Sequence, residues 1–135
     1  MADIAEQADV SQHYIYRFFG TRLDLLIEVS DVLACQAGEL LQHNISDNEL
    51  DFAQLLELCR SVCARRILLL DYLAAQGVPA ARFQEGNRLI YTGISQFFRN
   101  SGVPTARALS NGVAVLALIH AEISLLPTLD LQTEE

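Results

Sequence analysis

Apolar positions recur along most of this chain every three or four residues, the spacing that stacks side chains on one face of an α-helix. From Arg22 to about His43, Leu26, Val29, Leu33, Ala37 and Leu40 fall on one such stripe. A second long apolar run, "DFAQLLELCRSVCARRILLLDYLAAQ", continues to Gln76. Before it, "SDNE" (Ser46 to Glu49) has the Ser-x-x-Glu form of a capping box, which would open that helix. "GVPAAR" at Gly77 and "GVPTAR" at Gly102 echo one another. A glycine that closes one helix and a proline that opens the next explain both, predicting helices from Pro79 to Arg99 and from Pro104 to Leu126. The tail "DLQTEE" is polar and expected to fray.

The N-terminal end carries shorter elements. Ala2 to Ala8 reads as a short helix with Ile4, Ala5 and Ala8 on one face, and Asp9 sits where the chain must turn. Ser11 is a good N-cap for a second short helix, Gln12 to Phe18, which Gly20 closes. Thr21 then caps the long helix, with Asp24 placed three residues on to complete a capping box.

Composition agrees with an all-α chain. Of 135 residues, 51% are apolar, with only three prolines and seven glycines, enough for a sizeable core. All nine basic residues are arginine, and the formal net charge is −8. That excludes a surface binding nucleic acid on every side, though not one local basic face. The three cysteines, Cys35, Cys59 and Cys63, are an odd number without metal-ligand spacing, as expected of a reduced, cytoplasmic protein. Met1 is followed by Asp3, Glu6 and Asp9, unlike a signal peptide. The most apolar window, Val113 to Leu126, is interrupted by His120 and Glu122 and is expected to be too short and too polar to span a membrane.

Two short helices joined by a tight turn make a helix-turn-helix, whose second helix lies in the DNA major groove. Here that helix begins at Ser11, and its first turn offers Gln12, His13 and Tyr14. Tyr16 and Arg17 lie further along the exposed side, with Ile15 and Phe18 or Phe19 turned inward. Arg17 and Arg22, with no acid between Ser11 and Leu23, give this segment a positive field that favours phosphate.

At these residues the sequence resembles the TetR family of bacterial transcriptional repressors. The matching words are "DIAEQADVS" (Asp3 to Ser11) and "YIYRFFGTRLDLL" (Tyr14 to Leu26), in the family's order: Ile4-Ala5, Val10-Ser11, Tyr16-x-x-Phe19, Gly20-Thr21 and Arg22. The match covers about the first thirty residues. The resemblance implies a helix-turn-helix DNA-binding domain over 1–29 and a helical ligand-binding and dimerisation domain over 30–135. It implies phosphate contacts from Tyr16 and Arg22, and base or further backbone contacts from Gln12, His13 and Tyr14. With Ser11, Arg17 and Thr21 these form the expected DNA-contact set. Asp9 stands where the family often has glycine, and His13 and Tyr14 are bulkier than the residues common there. The family also has a helix before this segment, so Met1 is expected to be a missed upstream start or the edge of a truncated form.

The resemblance further implies a homodimer on a double-stranded DNA operator, formed by two C-terminal helices of each subunit and released by a small effector. The sequence points to an apolar or aromatic effector, because Ser46 to Arg99 offers many such side chains and few converging charges. Candidate pocket residues are Cys59, Cys63, Tyr72, Phe83, Tyr91 and His120. Each has a plainer reading. Cys59 and Cys63, four apart on one face, are either a thiol pair or small buried hydrophobes; the aromatics are either pocket or core; His120 is either an effector contact or a hydrogen-bonded core or interface histidine. Arg65-Arg66 reads as a solvated or ion-paired face. Gly86 and Gly93, one heptad apart beside Ile90, Ile94 and Phe97, together with Val113, Leu116 and His120, are the expected dimer seam. No nucleophile–base arrangement, phosphate loop or metal-ligand spacing stands out, so neither catalysis nor a cofactor or metal is expected. The alternative is a helical dimerisation or small-ligand-binding module that does not bind DNA in this form.

Overall fold

A computed structural model describes residues 20–133, together with Asp3 and Glu6, and side-chain surroundings through Leu125. Asp3 and Glu6 are both helical. The rest of the expected helix-turn-helix lies outside the described residues.

Among the described residues the chain is all-α. Four helices, α1 (Arg22–Asp47), α2 (Phe52–Ala75), α3 (Gln84–Asn100) and α4 (Thr105–Thr133), are joined by short turns, with a single 3₁₀ turn at Ala80–Phe83. α1 packs on α2 and α3, and α4 closes the bundle against α3 and α2.

The start of α1 follows the sequence. Gly20 adopts φ 75°, a left-handed conformation that costs glycine little. The Thr21 hydroxyl accepts from the Asp24 amide at 3.1 Å, and the Asp24 carboxylate accepts from the Thr21 amide at 3.0 Å. Those bonds, the backbone one foremost, hold the Asp24 carboxyl below its usual range.

The far end of α1 differs from expectation. The helix does not stop near His43 but runs to Asp47, and the box that opens α2 is Asp51 with Gln54 rather than Ser46 with Glu49. Ile45 supplies the reason: it is buried in the core, so tertiary packing carries the helix one turn past His43 and into the Ser46–Glu49 start signal. The buried stripe is also rotated. Leu25, Ser30, Ala34, Ala37, Gly38, Leu41 and Ile45 face inward, while Val29 and Leu40 are exposed. The inward stripe is the one with small residues. A Cβ on Gly93 of α3 would lie only 3.3 Å from Leu41 Cβ and 3.4 Å from the Gly38 carbonyl, so α1 and α3 meet almost backbone to backbone.

Both glycine–proline turns form, but the helix expected from Pro79 opens as the 3₁₀ turn Ala80–Phe83 and becomes α3 only at Gln84. Gly77 and Gly102 each take φ 90°. The Val78 amide donates to the Leu73 carbonyl and the Val103 amide to the Phe98 carbonyl, both at 3.0 Å, the bonding that closes a helix through a left-handed residue.

α4 overruns its expected end at Leu126 and continues through Pro127 to Thr133. Its stretch Thr105–Leu125, of mean hydropathy 1.5, is long and apolar enough by those measures to cross a membrane, which corrects the expectation that it is too short and too polar. The two polar residues behind that expectation face the bundle: Glu122 is clamped by Arg60, whose Nε and Nη2 lie 2.8 and 3.1 Å from its carboxylate oxygens.

Candidate functional site

Of the expected DNA-contact set, Ser11, Gln12, His13, Tyr14, Tyr16 and Arg17 lie outside the described residues. Thr21 and Arg22 are described. The Thr21 hydroxyl is committed to capping α1 and also donates to Asp24 Oδ2 at 2.9 Å. Arg22 opens α1 and is exposed. Its Nη1 donates to the Tyr72 hydroxyl at 3.2 Å, and its guanidinium carbon sits 5.9 Å from the centre of that ring.

The expected pocket residues divide. Cys59 and Cys63 are buried in the main core with Leu41, Leu55, Ile90 and Ile94. Burial pushes the Cys59 thiol up to about 12 and the Cys63 thiol to about 11, so both stay protonated and behave as small hydrophobes. Phe83 is buried in a second cluster with Leu70 and Leu73, against which Leu23, Leu26 and Ile27 of α1 pack. Tyr72 pairs with Arg22. Tyr91 and His120 do line a cavity.

That cavity, of about 580 Å³, lies between α2, α3 and α4. Arg66 and Ile67 of α2 form one wall. From α3 come Gln84, Asn87 and Tyr91, with Glu85 and Arg88. From α4 come Val113, Leu116, Ala117 and His120. Its volume suits a small organic molecule. Arg88 is bound to Glu85 at 2.9 Å, and the hydrogen bond lowers the Glu85 pKa and raises that of Arg88. His120 Nε2 is 3.3 Å from Asp71 Oδ1, while Asp71 Oδ2 accepts from the Ser124 hydroxyl at 2.7 Å. Among the described residues no three His, Cys, Asp or Glu side chains gather as a metal ion would require.

Arg66 corrects the expectation of a solvated or ion-paired Arg65-Arg66 face. Arg65 is exposed, but Arg66 is only 2% exposed. Its Nη1 donates to Asn87 Oδ1 at 2.8 Å and its Nη2 to the Phe83 carbonyl at 3.3 Å. Its Nε is enclosed without a hydrogen-bond partner. Burial lowers its pKa, opposed by the fields of Cys63 and Asp31. The signal was present in the sequence: Cys59, Cys63, Arg66, Leu70 and Leu73 follow each other at four, three, four and three residues, which places Arg66 on the buried stripe.

Four residues of the expected dimer seam are spent within the subunit. Gly86 faces Arg66 and Ala34, Gly93 faces Leu41, and Ile90 and Ile94 lie in the main core. Phe97 stacks edge-on against Phe98 at 5.2 Å. Leu116 and His120 are half-buried at the cavity, whereas Val113 is exposed. Among the exposed apolar side chains, Ala114, Leu118, Ala121 and Leu125 follow at helical spacing along the outer face of α4, away from the cavity.

Comparison of the chain with protein-family models, with curated proteins and with solved structures finds no match.

Proposed function

We propose that the chain is a ligand-responsive transcriptional regulator of the TetR-like kind: a cytoplasmic homodimer that binds a double-stranded DNA operator through residues 1–29 and is released by a small effector in its helical bundle. The observation that carries the reading is the junction at residues 20–24. A left-handed Gly20, the Thr21–Asp24 capping box and Arg22 as the first residue of a long helix support the reading, because the resemblance rests in part on Gly20-Thr21 and Arg22. Arg22 sits in the first turn, where the helix dipole favours a phosphate.

The cavity supplies the response. Arg66 on its wall is bonded to the Phe83 carbonyl, and the Phe83 ring belongs to the cluster that holds Leu23, Leu26 and Ile27 at the start of α1. A molecule that shifts Arg66 therefore acts on packing next to the DNA-contact junction. An effector favouring one arrangement changes the spacing of the two recognition helices through that difference in affinity alone.

The outer face of α4 is the dimer surface in this reading. Ala114 and Ala121 alternate with Leu118 and Leu125, and small residues between large ones admit a second helix at close range. A net charge of −8 disfavours an anionic lipid surface as the alternative cover. Two-fold symmetry then presents two recognition segments to successive major grooves.

The second reading is a helical dimerisation and ligand-binding module without DNA binding, favoured by the engagement of Arg22 with Tyr72. Salt-dependent binding to DNA from upstream of the chain's own gene separates the two.

A further inference from the structure

Arg66 is an arginine in the wrong company. It is nearly fully enclosed, and no carboxylate among the described residues lies within ion-pair distance of it. Its partners are a side-chain amide and a backbone carbonyl, both neutral. Guanidinium stays charged under ordinary conditions, and a buried charge without a directly paired counter-charge is costly. A buried N–H left without an acceptor adds to that cost, and Arg66 Nε is such a group.

Its placement is equally specific. Arg66 forms part of the wall of the cavity, and the remaining wall is mixed: Ile67, Tyr91, Val113, Leu116 and Ala117 make its apolar side, beside Gln84, Asn87, His120 and the Glu85–Arg88 pair. The absence of a side chain at Gly86 makes room for the guanidinium, since a Cβ there would collide with Arg66 Nη2. The only other arginine at the cavity, Arg88, already has its acid in Glu85. One positive charge without an ion-pair partner, reached by Asp31 only at longer range, thus borders a cavity with an apolar side.

We propose that the cavity binds an amphipathic monocarboxylate, its carboxylate paired with Arg66 and its apolar or aromatic body lying along Ile67, Tyr91, Val113 and Leu116. The inference rests on reading the cavity as the effector site, but not on DNA binding. It deepens the expectation of an apolar effector by adding a single acidic head. A molecule with several anionic groups would find no second unpaired arginine among the described lining residues and would meet the Glu85 carboxylate.

The test is isothermal titration calorimetry with decanoate and phenylacetate, each against its neutral primary amide. Wild type should bind the acids roughly ten-fold or more tightly than the amides, the scale of a charge-assisted hydrogen bond over a neutral one. Arg66→Gln should erase the preference, but loss of a buried side chain can also cost the fold. Asn87→Asp avoids that difficulty. It is nearly isosteric, and it places a carboxylate where Asn87 Oδ1 now accepts from Nη1 at 2.8 Å. This variant should stay folded and lose the preference, because Arg66 then has an internal counter-ion. Failure of the acids to bind wild type, equal binding of acid and amide, or a preference that survives Asn87→Asp would each overturn the proposal. Acids that bind as expected but leave DNA binding unchanged would instead overturn the regulator reading. Neutral compounds that release DNA while the acids do not bind would overturn only the ligand class.

Discussion

Gly86 faces the guanidinium of Arg66 so closely that a Cβ at that position would collide with Nη2, and would lie 3.0 Å from Ala34 Cβ. A glycine inside a helix is normally a weakness. Replacing it with alanine gains up to about 1 kcal/mol of helix propensity. Here overpacking, worth about 1–3 kcal/mol, opposes that gain, and Arg66 cannot retreat without breaking its bonds to Asn87 and Phe83. Gly86→Ala is therefore expected to lower the urea midpoint of unfolding. An unchanged or raised midpoint would show that the guanidinium has room to move.

The dimer surface is expected on the outer face of α4. Leu118 is half exposed, so Leu118→Glu should leave the helix content intact and convert the dimer to monomer in sedimentation velocity. Ile94→Glu is the contrast. Ile94 is wholly enclosed in the subunit core, and a charge there should unfold the subunit. A Leu118→Glu protein that remains dimeric would move the interface elsewhere.

Thiol chemistry should separate the three cysteines. Cys35 is exposed, whereas Cys59 and Cys63 are buried with thiols raised to about 12 and 11. Reactivity requires the thiolate and access to it. A maleimide reagent at neutral pH is expected to label Cys35 rapidly and the other two only in denaturant. Rapid labelling of all three in the native protein would contradict the core placement.

The Arg60–Glu122 clamp gives a pH dependence with a definite sign. The hydrogen bond from Arg60 lowers the Glu122 pKa below its ordinary 4.5. A carboxyl with a depressed folded-state pKa contributes stability above its unfolded value and loses it as pH falls through the folded one. The difference in melting temperature between wild type and Glu122→Gln should thus be largest near neutral pH. It should shrink below pH 4.5 as the carboxylate is protonated. A difference independent of pH would mean that the clamp acts through packing alone.

Much of the fold was legible in the sequence, and the exceptions have physical causes. The Thr21–Asp24 box and the turns at Gly77 and Gly102 are local devices, so local patterns announce them. The end of α1 is not local: burial of Ile45 outweighs the Ser46–Glu49 signal. The inward stripe of α1 differs from the expected one because Val29 and Leu40 are more hydrophobic than Ala34 and Gly38, whereas Ala37, on the expected stripe, is buried. Close helix approach selects for small residues, which a search for large ones passes over. The same bias assigned Gly86 and Gly93 to a seam between subunits, although they serve contacts within one. At the cavity, Tyr91 and His120 were anticipated and Arg66 was not, because a paired arginine motif suggests solvent unless its helical register is followed.

The central claim is DNA recognition, and fluorescence anisotropy with DNA from upstream of the chain's own gene tests it most directly. The account predicts binding tighter to that DNA than to a random duplex, falling linearly in log–log form with salt. Arg22→Ala, which removes an exposed side chain outside the bundle core, should reduce the salt slope by about one for each subunit. Equal affinity for upstream and random duplex, or a salt slope that Arg22→Ala leaves unchanged, would contradict it.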